Sequence, residues 1–147
     1  MIKERLNDWP ERLLTFLDEA GPFRWGQCDC VLFACDAMMA SIGQDLGQRF
    51  RGKYRTALGA ARQIKQYGGG GLEAAAEKMA QDEGIEEISV KFAQRGDVVL
   101  LDLNAEEAAA GPALAVCVGA EIAFICPEDG LSFIPMNRAR RAWAIGR

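Results

Sequence analysis

Apolar residues follow two different rhythms along this chain. From about residue 8 to 83 they recur at helical spacing, and from about 86 to 146 they arrive as short uninterrupted runs. Asp8-Trp9-Pro10-Glu11 reads as a helix start, with an acidic cap and a proline in the first turn. Leu13, Leu14, Phe16 and Leu17 supply its apolar stripe, Gly21-Pro22 ends it, and Phe23 to Gln27 is a loop. Asp29 is a good N-cap for a second helix, about Cys30 to Ile42. That stretch leaves almost no polar face, and a helix apolar nearly all round is a central, buried one; Gly43 stops it. Phe50 to Arg55 is a polar and aromatic connection, after which Thr56 caps a third helix to about Tyr67. The run Gly68 to Gly71 reads as a flexible connector. It lacks the lysine and Ser/Thr of a phosphate loop. Leu72 to Glu83 is an alanine-rich fourth helix, ended by Gly84.

Beyond it, Arg95-Gly96-Asp97 is a turn that opens a strand at Val98-Val99-Leu100-Leu101. Leu103 to Gly111 reads as an acidic, alanine-rich loop or short helical turn. Leu114 to Val118 and Glu121 to Cys126 are further strands, and Asp129-Gly130 signals a hairpin into Leu131-Ser132-Phe133-Ile134. Ala142 to Ile145 is a last strand. There is no repeat and no low-complexity tail. Helices first and strands second predict an α+β domain spanning 1–147, with its helical part at about 8–83 and its sheet part at about 86–146. The sheet is expected to be antiparallel and to pack on the helix that begins at Cys30.

Composition narrows the function classes. A net charge of −4 argues against nucleic acid as the main partner. Arg138, Arg140, Arg141 and Arg147 gather near the end, as a local positive patch or a solvated edge. Arg49, Arg51, Lys53 and Arg55, interleaved with Phe50 and Tyr54, read as a solvated loop or protein interface rather than a nucleic-acid contact. No apolar run approaches the ~18 residues that span a bilayer. Charges in Met1-Ile2-Lys3-Glu4-Arg5-Leu6 stand where a signal peptide would be apolar, so no export signal is expected. The five cysteines are an odd number with apolar neighbours, hence free thiols rather than a disulfide frame.

The chemistry concentrates in Phe23-Arg24-Trp25-Gly26-Gln27-Cys28-Asp29-Cys30-Val31-Leu32-Phe33, which reads like a catalytic cysteine at the start of a buried helix. The positive end of a helix dipole favours thiolate there, and N–H groups near Cys30 are placed to form an oxyanion hole. Gly26 gives the backbone room for a tight approach. Yet the chain contains no histidine, and a cysteine hydrolase normally uses an imidazole to take the thiol proton and return it to the leaving amine.

Trp25-Gly26-x-x-Asp29-Cys30-x-x-Phe33 resembles the nucleophile motif of NlpC-type papain-like cysteine peptidases. Arg95-Gly96-Asp97-Val98-Val99 and Leu114-Ala115-Val116-Cys117-Val118-Gly119 resemble that family's downstream strands, in order and spacing, over roughly residues 22 to 127. The whole chain resembles a small phage- and prophage-encoded offshoot carried beside tail-tip genes. The resemblance implies a papain-like fold with a small barrel-like sheet. It places the family's histidine at Ala113 and its third polar group at Cys126, so neither position carries an imidazole. General acid–base assistance is worth about 10²–10⁴-fold, and amide hydrolysis suffers most without it.

Three functions are therefore weighed. The first is a catalytically degenerate NlpC-like domain, a structural part of a phage tail tip or baseplate or of tail assembly. It would be made in the host cytoplasm, sit in the virion against other tail proteins, and use no cofactor. The second is an active cysteine hydrolase on peptidoglycan or a tail protein, using Cys30 with a carboxylate such as Asp97 or Asp102, or with a base from a partner. The third is a metal module built from Cys28, Cys30 and Cys126. Cys35 lies about 140° round the helix from Cys30 and points elsewhere. Against all of these stands the plain reading of Cys30 as a packing cysteine and of Trp25 as a loop anchor.

Overall fold

The computed structural model describes residues 1–107 and 111–147. Four α-helices lead: α1 (Trp9–Asp18), α2 (Cys30–Ile42), α3 (Ala57–Gly68) and α4 (Leu72–Glu83). The strands follow as β1 (Glu87–Ile88), β2 (Val98–Leu103), β3 (Gly111–Cys117), β4 (Glu121–Cys126), β5 (Gly130–Pro135) and β6 (Ala139–Trp143), with short 3₁₀ turns at Val90–Phe92 and Met136–Arg138. The architecture is α+β, with all paired strands antiparallel in one sheet of order β1-β6-β2-β3-β4-β5.

That sheet does not close, which corrects the expected barrel. Closure needs the two edges to pair, and among the described residues none joins β1 to β5. The β1 edge holds on through Glu87 and Ile88 alone. Residues of the sheet are nonetheless buried on both faces. Leu100, Leu114, Val116 and Ile125 belong to clusters shared with α2, while Val99, Leu101, Ala115 and Phe124 form a second core on the other face. Burial on both faces is why β2 reads as an unbroken apolar run instead of alternating.

The expected central helix is α2: Val31, Leu32, Phe33, Ala34, Cys35, Ala37, Met38 and Ile42 are all buried. Each fully buried side chain of the Leu or Phe kind contributes ~1.5–3 kcal/mol relative to exposure. On one flank α1 packs through Leu13 and Leu17, with Phe16 against the Phe33 ring at 5.2 Å. The α3–α4 hairpin covers the other flank.

Several local expectations change. Asp8 makes no capping bond; its carboxylate instead accepts from Arg12 Nε at 2.8 Å. The glycine run is a close-packed turn rather than a loose link. Gly69 takes the left-handed conformation that ends α3, and a Cβ on Gly68 would collide with the backbone of Ala75. The expected loop from Leu103 to Gly111 loses its ends to strands, Leu103 closing β2 and Gly111 opening β3. Its middle, residues 108–110, lies outside the described residues. β1 has no counterpart among the predicted strands, and β6 begins three residues before the predicted strand.

Candidate functional site

The loop before α2 is fixed by one buried carboxylate. Asp29 caps the helix through Oδ1, which accepts from Leu32 N–H at 3.0 Å. Its Oδ2 accepts from Gly26 N–H at 3.0 Å and from the Tyr54 hydroxyl at 2.6 Å. Gly26 sits at φ +79°, and a Cβ there would run into the Tyr54 carbonyl oxygen. The Gly26 carbonyl in turn accepts from Gly52 N–H at 2.8 Å. Phe23 and Trp25 pack edge to face at 4.8 Å, and Trp25 lies against the core cluster that holds Tyr54. The network holds Cys30 at the first helical position, half-buried.

Cys30 packs against both cores, including the cluster of Ala113 and Cys126. The three positions singled out by the sequence therefore share one apolar neighbourhood. Ala113 and Cys126 are both buried, and the Cys126 thiol donates to the Glu107 carbonyl at 3.2 Å. The surroundings reverse the expectation of an easily formed thiolate. Burial pushes the Cys30 thiol up from an ordinary 9.0 to about 11, and the Asp29 carboxylate adds to the rise. The N–H groups of Leu114, Val31 and Cys30 itself pull the other way without prevailing.

Neither carboxylate proposed as a base is available. Asp97 is fully buried and engaged by Arg5, Arg147 and the N–H groups of Gln94 and Ile145. Asp102 pairs with Arg140 at the surface. Among the described residues no three His, Cys, Asp or Glu side chains gather as a metal site, so Cys28, Cys30 and Cys126 do not assemble into one. Cys28 packs with α1 and Phe33, in a cluster that includes neither Cys30 nor Cys126.

A family model, a domain of unknown function (DUF6950), matches residues 4–145. The chain belongs to the DUF6950 family. No curated protein matches it. The DUF6950 span takes in Asp29, Cys30, Tyr54, Ala113 and Cys126 together, and also Arg5 and Asp97.

The participant that sequence reasoning missed in this DUF6950 chain is Tyr54. Burial first, and then its hydrogen bond to Asp29, push its hydroxyl well above the ordinary tyrosine range, so it stays a donor. The Phe50–Arg55 segment stands out in the sequence for its charges, but no periodicity links residue 54 to residue 29. Those charges are partly internal: Arg51 pairs with Asp36 and Asp45, and Arg49 covers the Tyr67 ring at 4.2 Å. The C-terminal arginines form no free positive patch, since Arg138, Arg140, Arg141 and Arg147 each meet a carboxylate.

Proposed function

We propose that this chain is a catalytically degenerate, papain-like domain of the NlpC type, serving as a structural component of a phage tail tip or baseplate, or in tail assembly, docked on other tail proteins. The observation that carries the degenerate half is the environment of the Cys30 sulfur. The thiol is raised to about 11, with buried Ala113 and Cys126 in its neighbourhood where the resemblance would put acid–base groups. A helix-terminal cysteine backed by a buried helix and an antiparallel sheet also supports the papain-like reading, because the middle of β3 supplies the Leu114 N–H beside that sulfur. The tail half rests on the resemblance of the whole sequence to the phage-encoded offshoot.

The test pairs chemistry with assembly. Purified protein and its Cys30→Ala variant are incubated with peptidoglycan, and released peptides are quantified. Particle assembly is then followed with the gene deleted or carrying the same substitution. The expected outcome is no difference in released peptide, loss of particles on deletion, and normal particles with Cys30→Ala. Amide cleavage that vanishes with Cys30 would sink the proposal in favour of an active cysteine hydrolase, and dispensability for assembly would remove the structural role.

A further inference from the structure

The chain carries a concave feature at the end of α2 opposite Cys30. The helix is 13 residues long, so at 1.5 Å per residue its ends lie about 20 Å apart. At the far end, Leu6 N–H donates to the Ser41 carbonyl, and Gly146 packs between Ile42 and Arg5. Here lies a groove of about 710 Å³ lined by Lys3, Arg5, Trp9, Gln94 and Arg147. Its volume falls within the usual range of small-ligand sites.

The arginines are held in place before any ligand arrives. The Arg5 side chain is only 10% exposed; Nε donates to the Ile145 carbonyl at 2.8 Å and one terminal nitrogen to Asp97 at 3.0 Å. Its guanidinium lies over the Trp9 ring at 4.2 Å. Arg147 donates to both Asp97 oxygens and to the Phe92 carbonyl. Each guanidinium thus keeps its other terminal nitrogen without an acceptor among the described residues, and that of Arg5 is not fully buried. Asp97 balances one of the two guanidinium charges, and with Lys3, Glu4 and Glu86 counted the groove carries cations and carboxylates in equal number, which suits a small zwitterion. Guanidinium geometry suits a carboxylate, and side chains already fixed lose little freedom on binding. Glu4 and Glu86 also line the groove; they repel polyanions and accept from an ammonium.

We propose that this groove binds the carboxylate of a small amino acid or of a free peptide end, on Arg5 and Arg147. Titration of the isotope-labelled full chain with glycine, and separately with N-acetyl-triglycine, tests it and distinguishes the two sources. N-acetyl-triglycinamide, inorganic phosphate and sodium chloride at equal ionic strength are the comparisons. Expected are saturating shifts of the Trp9 indole and the Gln94 and Gly146 amides with at least one carboxylate, and binding of the amide at least about tenfold weaker. Arg147→Gln lowers the affinity by a similar factor. If that variant fails to fold, Lys3→Glu, on an exposed side chain, lowers it severalfold. Absence of saturation with both carboxylates, equal binding of the amide or of phosphate, shifts reproduced by sodium chloride, or an unchanged affinity in Lys3→Glu would each overturn the assignment.

Discussion

A thiol held at about 11 is almost wholly protonated at pH 8, with roughly one hundredth of the thiolate carried by a cysteine near 9. Alkylation of Cys30 in the folded protein should therefore run about a hundredfold slower than that of a free cysteine, with the rate still rising as pH passes 9. A mass-resolved time course over pH 7–10 measures this, and fast labelling at pH 7 would contradict it. Stability has the same origin. Folding raises this pKa, so the contribution of the neutral thiol is intact below about 9 and is lost as pH climbs from there toward 11. Cys35, pushed up to about 12 by burial, acts with the same sign. Denaturant midpoints should fall across this window, and fall less in Cys30→Ala. Beside it, Tyr54→Phe removes one of the three donors to buried Asp29. The expected cost is about 1–3 kcal/mol, the penalty for leaving a buried polar group short of a partner, read from urea unfolding.

At the scale of elements, α4 is attached to the sheet by a charged clamp as well as by its apolar face. Arg141, on β6, donates to Glu73 and Glu77 of α4 and to Glu87 of β1, while Arg140 joins Glu73 to Asp102. Bonding to Arg141 holds the Glu73 and Glu87 carboxyls below their ordinary 4.5. A lowered carboxylate stabilises above its unfolded value and stops doing so as pH falls through its folded one. Arg141→Gln should therefore cost ~1 kcal/mol near neutrality, since exposed pairs count for little even in a network. The difference from wild type should shrink below about pH 4 and in high salt, as thermal melts would show. The sequence made the helices legible because their apolar spacing and stop glycines are local signals: Asp29 and Gly43 bound α2 as expected. The clamp was not legible, because Glu73 and Arg141 are brought together by the fold across 68 positions. For the same reason Tyr54 was missed while Asp29 was recognised. β1 escaped because a two-residue edge strand has no pattern of its own.

Across the whole molecule, α2 is an axis with a different polar knot at each end, Asp29 at its start and Asp97 near its finish. The second knot joins three distant parts of the chain. Arg5 comes from the N-terminal segment, Asp97 from the turn before β2, and Arg147 from beyond β6. Ile145 N–H also donates to Asp97 at 3.1 Å, and Arg5 returns a bond to the Ile145 carbonyl. Such a knot constrains the ends of the chain to leave the native state together with the sheet. The carboxylate is wholly buried, Arg5 is nearly so and Arg147 is partly exposed, so removing the anion leaves two neighbouring guanidiniums without their counter-charge. Asp97→Asn preserves shape and one acceptor but deletes the charge. Loss of one partner from a buried ion pair costs about 3–5 kcal/mol, a large part of the stability of a domain this size. The variant should melt well below wild type, with loss of amide protection in residues 2–6 and 144–146 before the α2 core opens. Hydrogen exchange resolves that order. Uniform loss of protection throughout, or a melting temperature unchanged from wild type, would mean that apolar packing around α2 holds the chain ends without the knot.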